Sequence, residues 1–190
     1  MEIKRLIGES LFIKSKNETV VVDPQEKDFK KFTGRVVIFT DKKKDFLGFT
    51  SDKVVIVGAG EYEVGGVEIV GINGMNGEVV YVLNVDGIKV GVLGNLSQPL
   101  SEKKVEKIPE MDILLVGVGN KEKVSHKLIW EWAKSWGANY VVPFGVDNKS
   151  EEMKNFLDVA DREDVEEKEF IKCDKADLPE GTELVLLKTV

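Results

Sequence analysis

The stretch Val79-Val80-Tyr81-Val82-Leu83-Asn84-Val85-Asp86-Gly87-Ile88-Lys89-Val90-Gly91-Val92-Leu93-Gly94-Asn95 is the clearest architectural statement in this chain. Residues 79–85 and 88–93 carry β-branched and aliphatic side chains at nearly every position, which predicts two strands. Asp86-Gly87 between them is a two-residue hairpin signal, because both central positions of that turn need a positive φ. Upstream, residues 3–7, 11–14 and 19–22 are short apolar runs separated by Gly8-Glu9 and by Ser15-Lys16-Asn17, with Asp23-Pro24 ending the third. That spacing predicts a meander of antiparallel strands. Residues 36–40 and 54–57 are almost wholly apolar and suit strands buried on both faces, and 67–71 adds another.

Downstream of Asn95 the pattern changes to alternating helices and strands. A polar run beginning at Ser101 predicts a helix, 113–116 a buried strand, and 124–136 an amphipathic helix with Val124, Leu128, Ile129, Trp132 and Trp136 on one face. Gly137 supplies its stop. Residues 140–142 predict a strand, 150–159 a helix, and 183–188 a closing strand after Pro179-Glu180-Gly181. Strands first and alternating α and β afterwards, with no linker, predict one α/β domain over residues 1–190. Its expected form is two mixed sheets flanked by helices, a four-layer αββα sandwich.

Composition narrows the function. The 190 residues carry 27 Lys+Arg against 34 Asp+Glu, a net charge of −7, with 42% hydrophobic and 32% charged residues. This is globular rather than disordered. The expected setting is the cytoplasm, since no apolar run approaches the roughly 18 residues of a membrane span and residues 1–8 are too short and polar for a signal peptide. Only Arg5, Arg35 and Arg162 supply forked phosphate donors, so nucleic acid is not an expected partner. Cys173 stands alone, which excludes an intrachain disulfide and a zinc site built on paired thiolates. The Lys/Glu-rich, Gln-poor balance hints at a thermophilic source. Residues 149–169 hold nine acidic and four basic side chains, and read as a solvated face.

Six segments in order resemble the metallo-β-lactamase superfamily, specifically the short metal-dependent hydrolases of its UlaG-like branch. Leu6-Ile7-Gly8-Glu9-Ser10-Leu11-Phe12 resembles L-G-H-S-x-F, and Val20-Val21-Val22-Asp23-Pro24 its strand ending in Asp-Pro. Phe39-Thr40-Asp41-Lys42-Lys43-Lys44-Asp45-Phe46-Leu47-Gly48 aligns without a gap on T-H-x-H-x-D-H-L-G. Gly60-Glu61-Tyr62-Glu63-Val64-Gly65-Gly66-Val67 is similar to G-E-Y-E-V-x-G-V, the most specific match. Val92-Leu93-Gly94-Asn95 resembles H-L-G-D, and Val142-Pro143-Phe144-Gly145 resembles P-M-H-Y.

The resemblance implies this fold and a binuclear zinc hydrolase, which needs imidazoles and carboxylates converging on each ion at about 2.0–2.2 Å. It also implies that the histidine positions are Glu9, Asp41, Lys43, Phe46 and Gly145, that the bridging aspartate is Asn95, and that Asp45 alone is retained. The loop after Val70, where the branch usually carries another histidine, has none. His126, the single histidine, matches no ligand motif. The expectation is therefore no zinc and no other cofactor, with Glu9, Asp23, Asp41, Lys43, Asp45 and Asn95 forming a vestigial pocket. An ammonium at Lys43 would stand where a cation belongs, satisfied by Glu9, Asp23, Asp41 and Asp45. The alternatives are lysines 42–44 pointing into water, or the carboxylates holding Mg²⁺ or Ca²⁺.

Other motifs have simpler readings. Gly58-Ala59-Gly60 lacks the third glycine of a dinucleotide loop and reads as a tight turn. Gly117-Val118-Gly119-Asn120-Lys121 could cradle a small anion. Ser125 reads as a helix N-cap and His126 as a surface or cap residue; Trp132 and Trp136 read as core, and Trp130 as a partner surface. Two functions fit. One is a non-catalytic binding, scaffolding or self-assembling module, with a homo-oligomer or protein partner; the other is a hydrolase using a different metal or a metal-independent acidic site.

Overall fold

A computed structural model describes residues 1–25, 34–42, 52–119 and 124–189. The meander is present as β1 (Glu2–Arg5), β2 (Leu11–Lys14) and β3 (Thr19–Val22), paired antiparallel, and β4 (Val36–Ile38) and β5 (Val54–Ile56) extend it in parallel. Then come β6 (Gly60–Val64), β7 (Val67–Asn73), β8 (Val79–Val85), β9 (Ile88–Gly94), α1 (Glu102–Val105), β10 (Ile113–Gly117), α2 (His126–Ser135), β11 (Tyr140–Phe144) and α3 (Glu151–Val159). The chain closes with β12 (Glu167–Lys168), β13 (Ile171–Lys172), β14 (Glu183–Leu184) and β15 (Leu186–Leu187).

Two mixed sheets result, ordered β13-β1-β2-β3-β4-β5 and β14-β11-β10-β9-β8-β7-β6, beside a small β12-β15 ribbon. In the second sheet β6 to β9 run antiparallel and β9, β10, β11 and β14 parallel, as hairpin and helical crossover connections require. Asp86 and Gly87 turn the β8–β9 hairpin with φ of 54° and 82°.

Period-two alternation divides the core. Val79, Tyr81, Leu83 and Val85 of β8 face the first sheet together with Ile113 and Leu115. Val80 and Val82 face the other way with Leu114, Val116 and Val141, onto Ile129, Trp132, Trp136, Met153 and Phe156. This is the expected sandwich; among the described residues the helices cover the outer side of the second sheet. Ser125 Oγ accepts from Leu128 N at 3.3 Å to cap α2, whose far end closes with Gly137 N–H on Lys134 O and Ala138 N–H on Ala133 O.

The structure corrects four expectations. β5 is an edge strand with Val54 37% exposed, so its apolar run does not mean burial on both faces. β6, with Glu61 and Glu63 exposed, is an added edge strand in the segment 60–64. Residues 183–188 are two short strands, because the chain leaves the second sheet at Val185 to join the ribbon. His126 is buried rather than on the surface: Nε2 lies 3.1 Å from Val118 O and the ring stands edge-on to Phe156.

Candidate functional site

The two sheets meet at one rim, where the turn before β2, the end of β3 and the ends of β9, β10 and β11 converge. Asp23 follows β3 with φ 45°, a left-handed conformation that Asp tolerates better than most residues. Its carboxylate accepts from Thr40 N at 2.9 Å and from Thr40 Oγ1 at 2.5 Å, its N–H donates to Ile38 O, and its carbonyl accepts from Ser10 Oγ at 2.8 Å. Both Asp23 and Thr40 are buried. Asp23 therefore bolts the end of β3 to the segment after β4.

Thr40 also touches the second sheet. A Cβ at Gly94, whose φ is 64°, would lie 2.8 Å from Thr40 Cβ, so the glycine lets the end of β9 pass close to β4. Asn95 comes next. Its Nδ2 donates to Glu9 Oε1 in the turn before β2, and its Oδ1 accepts from Gly119 N at 3.3 Å. The amide orientation follows from chemistry, since a carboxylate can only accept and a backbone N–H can only donate. The surrounding walls are glycines. A Cβ at Gly117 would collide with Asn95 Oδ1 and lie 2.6 Å from Gly94 O; one at Gly145 would lie 3.3 Å from Asn95 Nδ2 and 3.8 Å from Glu9 Cγ.

Of the predicted pocket residues, Glu9 and Asn95 are thus brought together, and Asp23 is held by Thr40 and by Ser10, the residue after Glu9. Asp41 is half-buried and bridges through its backbone to Glu78. Lys43 and Asp45 lie outside the described residues, as do Phe46 and the Asn120-Lys121 part of the suggested anion loop. Gly119, the last described residue of that loop, spends its N–H on Asn95. Among the described residues no group of three or more His, Cys, Asp or Glu is placed to hold a metal ion. Gly58-Ala59-Gly60 is a turn packed under two tyrosines, with Gly58 O accepting from Tyr62 Oη at 3.2 Å and Tyr81 Oη at 3.4 Å. Burial in the inter-sheet core pushes the Tyr81 phenol upward.

Two buried charged residues at this end go beyond the sequence reading. Arg5 is 3% exposed and reaches across to the segment after β11, donating Nη1 to Asn148 Oδ1 at 2.5 Å and Nη2 to Val146 O. Burial holds its guanidinium below the usual arginine range, with Asp147 and Glu167 opposing the shift. Its signal is present in the alternation of β1, where Ile3 and Arg5 share the inward face. Glu78 accepts from Ser97 N at 2.9 Å through Oε1, while Oε2 is buried with no hydrogen-bond partner among the described residues.

Comparison with known proteins places this geometry. Residues 2–145 match the family model described as the β-lactamase superfamily domain. A proposed Zn-dependent hydrolase of the metallo-β-lactamase superfamily from Thermotoga maritima is 26% identical, with 98% of each chain covered and a TM-score of 0.80. A proposed metal-dependent hydrolase from Parabacteroides distasonis is 14% identical over 96% of this chain and 91% of its own, at a TM-score of 0.66. The metallo-β-lactamase fold protein YhfI from Bacillus subtilis is 9% identical over 99% and 96%, at 0.64. The last two likenesses are of fold alone. No curated protein matches the chain.

Proposed function

This chain belongs to the β-lactamase superfamily, and we propose that it is a member of the UlaG-like branch that has lost the binuclear zinc centre and serves as a non-catalytic binding, scaffolding or self-assembling module. The observation that carries this reading is the hydrogen bond from Asn95 Nδ2 to Glu9. At two positions where the family resemblance implies metal ligands, the chain has a carboxamide donating to a carboxylate, and an N–H aimed at an acceptor cannot share a cation with it. The only imidazole in the chain is held by Val118 O in the core beneath α2. A zinc centre wants neutral imidazoles with an open position for water, and the described residues at this rim do not fit it.

In this reading Lys43 carries the positive charge that a metal would bring, and Glu9, Asp23, Asp41 and Asp45 offset it. Asp23 is already anchored by Thr40, which supports a fixed electrostatic role for it over ligand exchange. Function then lies on the surface. Trp130 is half-buried, edge-on to Phe156 at 6.3 Å, and its remaining face is the anchor for self-association or a protein partner. No described helix is long and apolar enough to cross a membrane, and the cytoplasmic setting of this reading rests on the composition.

A second reading keeps catalysis, through a different metal or metal-independent acid/base work by Glu9, Asp45 and Lys43, with hydrolysis as the inherited reaction type. The observation favouring it is the 26% identical Thermotoga maritima protein, a proposed hydrolase matched over 98% of its length. Elemental analysis of the purified protein combined with a phosphodiesterase and lactonase screen separates the two. The module reading expects well below one zinc per chain and no turnover, with an oligomer in sedimentation that Trp130→Ala weakens. A monomer whose turnover is abolished by Glu9→Gln or Asp45→Asn would replace it with the enzyme.

A further inference from the structure

Glu9 belongs to the first sheet's β1–β2 turn, whereas Asn95 and Gly119 follow β9 and β10 of the second sheet. The carboxamide of Asn95 joins them, donating to Glu9 Oε1 and accepting from Gly119 N. It occupies the space walled by Gly117 and Gly145, where a single added methyl on either would touch or collide with it. We propose that Glu9, Asn95 and Gly119 form a built-in clasp, in which the Asn95 carboxamide fills the inherited cleft and cross-links the two sheets at their rim. This rests on the non-catalytic reading and deepens it by naming what occupies the cleft: the chain's own amide.

The clasp makes a directional demand. One partner must donate and the other accept, while an acceptor for the Gly119 N–H is kept at position 95 in either case. Asn95→Asp keeps that acceptor but opposes two carboxylates across the sheet-to-sheet gap. Glu9→Gln added to Asn95→Asp restores a donor–acceptor pair with its direction reversed, the new carboxamide at position 9 giving its N–H to the new carboxylate at position 95. Size and shape are conserved throughout, so packing alone cannot produce the pattern.

The experiment is a set of thermal melts of the full chain as parent, Asn95→Asp and Asn95→Asp/Glu9→Gln. The clasp predicts that Asn95→Asp melts about 5 °C or more below the parent and that the double variant regains at least half of that loss. If Asn95→Asp accumulates only as insoluble protein, recovery of soluble folded protein in the double variant is the supporting result. A single variant melting with the parent, or a double variant no better than the single, overturns the clasp. Zinc content and turnover of the parent, measured separately, decide the non-catalytic reading, so the two failures are distinguishable.

Discussion

Replacing Asp23 by alanine removes one carboxylate and leaves two donors stranded. Thr40 N–H and Thr40 Oγ–H both point at it, at 2.9 and 2.5 Å, from a residue that is itself only 6% exposed. Hydrogen bonds to a charged group contribute about 1.5–3 kcal/mol each, and a buried donor left unpaired costs about 1–3 kcal/mol. Alanine must also hold φ at 45°, where a side chain without a polar tip costs about 1 kcal/mol more than Asp. These terms overlap, and together they set the loss for Asp23→Ala at about 4 kcal/mol, or a melting temperature lower by about 10 °C for a chain of this length. Asp23→Asn keeps one acceptor oxygen and tolerates the left-handed backbone, so its loss is about half as large. Thr40→Val removes only the Oγ bond and costs about 1–2 kcal/mol. Urea denaturation of the three variants measures the order. If Asp23→Ala unfolds within about 1 kcal/mol of the parent, less than a single such bond contributes, Asp23 is not the bolt between β3 and β4 and its carboxylate serves another role.

Three further outcomes are expected. Gly117→Ala drives a methyl into Asn95 Oδ1 and Gly94 O and should cost about 1–3 kcal/mol in urea denaturation, whereas Gly181→Ala, which has open space around it, should cost little. Arg5→Lys cannot span Asn148 Oδ1 and Val146 O with one ammonium, and should lower the melting temperature by several degrees, on the order of 2 kcal/mol, while leaving far-ultraviolet circular dichroism unchanged. Burial raises the Cys173 thiol and the Tyr81 phenol above their unfolded values. Each therefore contributes stability that is complete below its unfolded pKa and is lost as pH rises from there toward its folded one. Urea midpoints should fall above about pH 8.5, first from the thiol and then from the phenol, and Cys173→Ala should flatten the first part of that decline.

The β8–β9 hairpin is legible in the sequence because Asp86-Gly87 combines a turn chemistry with flanking strands, and both signals are local. β6 carries a weaker signal, the short alternation Glu61-Tyr62-Glu63-Val64, in which Tyr62 and Val64 pack against the inter-sheet core while both glutamates face water; two apolar residues are too few to mark a strand on their own, and its pairing with β7 is carried by the backbone. β5 misleads in the opposite sense, because apolar side chains suit a buried strand and an edge strand alike until the sheet order is known. For His126 the helical period holds the answer that its polarity obscures: His126, Ile129 and Ala133 share the buried stripe of α2. At the candidate site, the family resemblance singles out the turn holding Glu9 and the strand end holding Asn95, but not the bond between them. They are 86 positions apart, and no local pattern encodes a hydrogen bond across two sheets. Thr40 enters the sequence reading only as the end of an expected strand and part of a motif, because its role depends on where Asp23 and Gly94 come to rest in space.

The central claim, that this fold is retained without its zinc chemistry, is tested most directly by zinc analysis of protein produced in zinc-supplemented medium and passed through a desalting column. The account predicts well below one zinc per chain. One or more zinc ions per chain, held tightly enough that chelators strip them only slowly, would contradict it.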